Sequence, residues 1–366
     1  MKILALEPFY GGSHRAFLDG WRDHSSHAWT ILGLPDRHWK WRMRHAAVTL
    51  AETVKKRVAN GETWDLLFCS DMLNLAEFVG LAPETVRALP RLIYFHENQL
   101  TYPDRVGDER DLQLAFTNYS SMLAADRVWF NSAFHRDQFF AALHDWLARM
   151  PDFEQRAMIA QVRAKSTVAY PGIREIAAGP PDYHGPARLL WSARWEHDKN
   201  PDDFLQALRV LADRGVEFRL NVIGQAYREV PAAFDVLRSE FGERILRWGH
   251  QPSRQAYEQA LVESDLVVST AVHEFFGIAV LEAAQAGVIP IVPNRLSYPE
   301  VIGAEPFLYE GSVDGLADRL EARIASINAG DDLSEERTLA RQIASQYLWQ
   351  SVTPTMDTWL NELVAG

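Results

Sequence analysis

A chain of 366 residues, 47% hydrophobic and 23% charged, has the make-up of a globular protein too long for one compact core, so two domains are expected. Its single cysteine, Cys69, excludes an intramolecular disulfide and any zinc cage built from several thiolates. The formal net charge of -12 argues against a protein that holds nucleic acid by bulk charge, and no run nears the ~20 apolar residues of a membrane span. With an N-terminal apolar run too short for a signal peptide, a soluble, cytoplasmic protein is expected.

In chain order, short apolar runs predict strands at 2–6 (KILAL), 29–34 (WTILGL), 64–69 (WDLLFC), 91–95 (RLIYF), 127–131 (RVWFN) and 166–170 (STVAY). Helical spacing lies between them: apolar positions 39, 43, 46, 47, 50, 54 and 58 form one stripe, and 112–125 and 133–147 are further helices. The segment 171–188 (PGIREIAAGPPDYHGPAR) breaks the pattern and reads as a linker. Strand-like runs then resume at 188–194, 218–224, 244–249, 265–270, 288–292 and 306–310, again alternating with helices. Such alternation predicts α/β architecture: two Rossmann-like, doubly wound lobes with parallel sheets and a ligand in the cleft between them. The expected division is 1–175, 176–345 and a C-terminal helix, 346–366, packing back on the N-terminal lobe.

The segment HEFFGIAVLEAAQAGVIPIVPN (273–294) carries the most chemistry. A predicted strand precedes it, and IAVLEAAQ is a run of good helix formers ended by Gly287. Glu274 thus falls in the strand–helix loop and Glu282 about two turns into the helix. Phe276, Gly277 and Ile278 sit at the helix N-terminus, where free N–H groups and a glycine suit a phosphate. One carboxylate can accept from sugar hydroxyls and the other from a ribose. In SARWEHDKNP (192–201), Arg194 and Lys199 follow another strand and can hold a diphosphate and stabilise its departure. Earlier in the chain, Gly11, Gly12, Ser13 and His14 form a strand–helix loop. His96, Glu97 and Asn98 end one strand, while Asp71 and Asn74 end another. No Asp-x-Asp motif or histidine cage appears, so no metal is expected.

Charge is unevenly placed. Residues 1–60 hold ten Lys/Arg against five Asp/Glu, so this segment is +5 and the remainder carries -17. Arg37, Lys40, Arg42 and Arg44 lie within RHWKWRMRH (37–45), around Trp39 and Trp41. On a helical wheel Trp39 joins the buried stripe, Arg37, Lys40 and Arg44 gather on one flank, and Trp41 lies further round. Cations beside an exposed aromatic can pair with phosphates and stack a base. A helix start with snorkelling cations explains the same residues.

The Glu-x7-Glu spacing of Glu274 and Glu282, with its Phe-Gly and AAQAGVIPIV neighbours, resembles the retaining glycosyltransferases of the two-lobed, glycogen-synthase-like B fold. The blocks EPFYGGSHRAFLDGW, LPDRHWKWRMRH, SDMLNLAEF and FHENQLTYP resemble the tRNA-queuosine mannosyltransferase family within that group. That resemblance implies retaining transfer of mannose from GDP-mannose to queuosine in the anticodon loop of tRNA(Asp), with no cofactor beyond the nucleotide sugar. It implies that His96 and Glu274 orient the sugar and that Arg194 and Lys199 hold the diphosphate. Glu282 takes the ribose, and Gly11 and Gly12 approach the donor. Ser13, His14, Asp71, Asn74, Glu97 and Asn98 would face the acceptor, and Arg37, Lys40, Trp41, Arg42 and Arg44 the RNA. Two rival readings are a small-molecule, lipid or polysaccharide acceptor for the same chemistry, and a silent RNA-binding module.

Overall fold

A computed structural model describes residues 1–103, 111–178, 185–226 and 229–366. The chain divides into two compact units, Met1–Gly172 with Trp349–Gly366, and Ile173–Leu348. Unit 1 holds strands β1 (Lys2–Glu7), β2 (Ala28–Gly33), β3 (Leu66–Ser70), β4 (Arg91–Phe95), β5 (Arg127–Phe130) and β6 (Ser166–Val168). Unit 2 holds β7 (Ala187–Ser192), β8 (Phe218–Ile223), β9 (Ile245–Gly249), β10 (Leu266–Val268), β11 (Ile289–Pro293) and β12 (Leu308–Tyr309). Each falls on one of the apolar runs, and β3 and β11 are buried along their whole length, as strands covered on both faces must be.

All neighbouring strands pair in parallel. The orders are β2-β1-β3-β4-β5-β6 and β12-β11-β10-β7-β8-β9. Strand order reverses between β1 and β3 in unit 1 and between β7 and β10 in unit 2. In open α/β sheets ligands bind beyond the carboxyl ends of the strands at such reversals. The fold thus marks one location in each unit before any side chain is considered.

The helix Trp349–Ala365 belongs to unit 1, where Trp349, Met356 and Leu360 join the core formed with Phe17, Trp21, Phe68 and Tyr94. Gly20 and Gly172 make room for it, since a Cβ on either would fall within 2.2 Å of the Trp349 ring. Asp357 accepts from the Trp21 indole at 3.1 Å and from the Ser25 and Ser26 hydroxyls at 2.9 Å. The division lies a single turn of chain from the expected one at each crossing. Ile173 and Leu348 form a parallel bridge inside unit 2, while Trp349 is drawn into unit 1. Of the segment read as a linker, residues 179–184 lie outside the described residues.

One expectation is corrected in helix Trp39–Ala59. Met43, Ala46, Ala47, Leu50 and Val54 form the buried stripe as spaced, but Trp39 is 38% exposed. The helix begins at Trp39, directly after His38 at φ 55°, so this ring sits on the entry turn rather than over the core.

Candidate functional site

The location in unit 2 is an open pocket whose lining includes Trp191 and Ser192 of β7, Lys199, Glu274, Gly277 and Tyr298. Lys199 ends a short turn of 3-10 helix and is buried. Its ammonium donates to the His273 carbonyl at 2.9 Å and to Glu274 Oε2 at 3.2 Å, and lies 3.1 Å from Asp198. Burial disfavours its charge, yet Glu274 and Asp198 raise its pKa, while Lys199 and the Phe276 N–H lower that of Glu274 against the same burial. The other Glu274 oxygen accepts from the backbone N–H groups of Phe275 and Phe276 at 3.1 and 3.3 Å, so the loop fixes the carboxylate at both ends. Burial and Lys199 also push His273 down to about 4, so it is neutral at ordinary pH.

Gly277 caps the helix Ile278–Gln285 with φ 93°, a conformation that favours glycine, and no side chain caps the first turn. Val280 and Leu281 N–H already donate to the Gly277 carbonyl, so the N–H groups of the positions before them are the ones a ligand can take. Arg194 is exposed and paired with Glu196 at 3.2 Å.

Glu282 is buried and already held. Arg254 donates to Oε1 at 2.7 Å and the Tyr257 hydroxyl to Oε2 at 2.8 Å. Each carboxylate oxygen keeps a second acceptor site, so Glu282 can still take a hydroxyl. Arg254 and Tyr257 were missed in the sequence, because they lie on a separate helix, Arg254–Val262, with no motif of their own.

Unit 1 gathers Glu7, His14, Asp71, His96 and Glu97 around the β1/β3 reversal. Glu7 ends β1, fully buried, and accepts from Phe9 N–H at 2.9 Å and Ser70 Oγ at 3.0 Å. His14 Nδ1 lies 3.2 Å from its second oxygen, and the His14 and His96 rings overlap at 4.1 Å. Asp71 Oδ1 accepts the His96 N–H at 2.9 Å, while buried Asp71 Oδ2 and His96 Nε2 have no hydrogen-bond partner among the described residues. Burial raises the Asp71 pKa to about 8. Donor atoms of Glu7, His14 and His96 lie within 4.8 Å of one another, the closest approach to a cation-binding set among the described residues. The Glu7–His14 bond and the overlapped rings close this set upon itself.

Other expected acceptor residues prove structural. Asn98 is fully buried, with its oxygen taking the N–H groups of Leu100 and Thr101 and its amide donating to Thr101 and His135. Asn74 caps the helix Leu75–Leu81 through Glu77 N–H. Gly11 has its reason in packing, because a Cβ there would lie 2.0 Å from the Asp36 carboxylate. Gly12, at φ 51°, and Ser13 are exposed beside His14.

The basic stretch splits into two kinds of residue. Arg42 is half-buried, donating to the Pro35 carbonyl and lying 2.8 Å from His45, and Arg44 pairs with Asp111 at 2.6 Å. Arg37 and Lys40 are exposed with no ion pair among the described residues, and Lys40 lies over the Trp39 ring at 5.5 Å. Trp41 is 59% exposed and tilts against His45 at 4.9 Å. No described helix is long and apolar enough to cross a membrane.

Residues 2–173 match the family model for the N-terminal region of tRNA-queuosine alpha-mannosyltransferase, and 173–337 match glycosyl transferases group 1. Over 315 residues the chain is 38% identical to the tRNA-queuosine alpha-mannosyltransferase of Drosophila melanogaster, covering 83% of this chain and 82% of the relative. It is 26% identical over 175 residues to a GDP-mannose:cellobiosyl-diphosphopolyprenol alpha-mannosyltransferase of Xanthomonas oryzae, covering 45% and 44% of the two chains. The fold is that of sucrose-phosphate synthase from Thermosynechococcus elongatus (TM-score 0.73, 12% identity, 100% and 99% covered). It is also that of HepE from Anabaena, solved with UDP (TM-score 0.71, 16% identity, 99% and 100% covered). Both likenesses extend over the two units, which together form the glycosyltransferase B fold.

Proposed function

We propose that this chain, which belongs to the tRNA-queuosine alpha-mannosyltransferase family and is a retaining hexosyltransferase of the B fold, transfers mannose from GDP-mannose to queuosine in tRNA(Asp). The observation that carries the reading is the Lys199–Glu274 pair beside the Gly277-headed helix, at the strand reversal of unit 2. An ammonium and the N-terminal end of a helix without a side-chain cap meet there, as a nucleoside diphosphate requires.

In this reading Lys199, Arg194 and the Gly277 and Ile278 N–H groups take the diphosphate and its developing charge, while Phe276 N–H keeps Glu274 in place. Glu282, held still by Arg254 and Tyr257, accepts from the ribose. Glu274 and His96 orient the sugar, and no side chain is assigned as a covalent nucleophile. The acceptor hydroxyl attacks the face the leaving group vacates, and the departing phosphate oxygen takes its proton. Ser13, His14, Asp71 and Glu97 form the acceptor side, while Arg37, Lys40 and Trp41 take the RNA backbone and a base. The name of the Drosophila relative supports the acceptor, and it and the Xanthomonas relative support mannose. No divalent ion is needed for the diphosphate, whose charge these groups offset, and a cytoplasmic setting follows from a tRNA substrate.

The test is transfer from a panel of nucleotide sugars to tRNA(Asp) with and without queuosine, in EDTA. Mannose transfer from GDP-mannose to the queuosine-bearing tRNA alone is expected. Equal transfer to tRNA lacking queuosine, or dependence on added magnesium or manganese, would overturn the reading.

A further inference from the structure

We infer that Glu7 is a positioning residue: through its bond to His14 it keeps that ring an imidazolium and the overlapped His96 a neutral imidazole. The inference rests on the reading of unit 1 as a substrate-binding end. It explains a side chain that reading leaves idle, a fully buried carboxylate at the β1/β3 reversal.

Glu7 is built to stay in place. Backbone Phe9 N–H and Ser70 Oγ fix one oxygen, which leaves the other aimed at His14 Nδ1 at 3.2 Å. His14 is buried in turn, packed edge-on to Phe9 at 6.2 Å and against His96 at 4.1 Å. Rings this close cannot both carry charge cheaply in a dry setting. The groups facing His14 are Glu7 on β1, Asp71 after β3, and Glu97 and His96 after β4. Burial works against a charged His14, but Glu7 above all, then Asp71 and Glu97, raise it to about 9. His96 faces His14 and His135 and receives no such help; burial and then these two rings hold it well below the usual histidine value. One proton is thereby assigned, to His14 and not to His96. The pair sets a cation beside a neutral ring whose buried Nε2 has no partner among the described residues.

The sign of the pH effect follows. With a folded value near 9, His14 is charged throughout the neutral range and loses its proton only above it. In Glu7→Gln the largest pull is gone and the burial penalty remains, so His14 falls to the ordinary ~6.5 or below. At pH 8.5 the charged fraction then drops at least about 75-fold, and at pH 6 by a far smaller factor. The alkaline limb of the mannose-transfer rate should therefore move from about pH 9 to about 6.5 or lower, and Glu7→Asp should restore it at least in part. A merely structural Glu7 would lower Tm without moving the limb.

Histidine NMR on the wild type keeps the test independent of that variant's folding and of the acceptor's identity. His14 should titrate near 9 while His96 stays neutral from pH 6 to 9. A His14 titrating near 6.5, an unmoved alkaline limb in Glu7→Gln, or a transfer rate that rises as His14 deprotonates would each overturn the inference. So would stoichiometric zinc or manganese in the purified protein that is lost in Glu7→Gln, since the cluster would then be a metal site. Absence of transfer to queuosine-bearing tRNA, with the NMR values as stated, would instead defeat the function proposed above and leave the proton assignment intact.

Discussion

The two strand reversals hold polar clusters of opposite temperament. In unit 2, Lys199 and Glu274 shift each other's titration outward, so both stay charged through the working range. In unit 1, His14 near 9 and Asp71 near 8 change state within or just above that range. One cluster is set by a permanent ion pair, the other by the distribution of protons. Binding of a diphosphate should accordingly be indifferent to pH, and handling of the acceptor should not.

The comparison breaks most sharply at Lys199. Lys199→Ala should slow transfer by roughly 10²–10³-fold, the scale for losing one stabiliser of developing charge. It also strands Glu274 and Asp198 beside one another, so about 3–5 kcal/mol of stability should go with it. Turnover and Tm of the same preparation check both, and a variant with wild-type kcat would remove Lys199 from the leaving-group site. Next, Glu282→Ala should raise the Kd for GDP-mannose about 10–100-fold, as for a hydrogen bond to a charged group, and Tyr257→Phe about 5-fold. Calorimetry decides between them, and unchanged affinity in both would leave Glu282 without its ribose.

Stability itself should separate the units. His14, raised in the folded state, contributes stability that is complete below about 6.5 and fades as pH rises through 9. Asp71, held protonated, works in the same direction up to about 8. Tm should therefore decline from pH 6.5 to 9, and His14→Gln should flatten that slope; Tm flat in the wild type would contradict it. Smallest of all, Arg37→Ala with Lys40→Ala should leave donor affinity alone and flatten the salt dependence of tRNA binding by about one unit for each phosphate no longer neutralised. Arg44, already spent on Asp111, should matter less.

The sheets were legible because buried parallel strands are nearly pure apolar runs, and all twelve fall where those runs lie. Sequence order alone also exposed the Glu274 loop, since strand, glycine and helix follow one another without interruption. What stayed hidden was what the fold assembles from distant segments. Tyr257 and Arg254 reach Glu282 from another helix, and Glu7 reads as the polar end of a strand until Ser70 and His14 close on it. Asn98 and Trp39 misled for a related reason. A polar residue at a strand end can stitch its own loop, and an apolar residue in phase with a stripe can still stand one turn outside the core.

The return of helix Trp349–Ala365 to unit 1 has a consequence for how the protein is made. Unit 2 emerges from the ribosome whole, whereas unit 1 waits on a segment synthesised after all of unit 2. At the usual 5–20 residues per second, that delay is on the order of tens of seconds. Throughout it, the pocket that Gly20 and Gly172 shape for Trp349 and the aromatic floor around Trp21 lie open, although most of their strands already exist. The first half of the protein to be translated is thus the last to be finished, and a stalled chain would present this bare aromatic surface to chaperones.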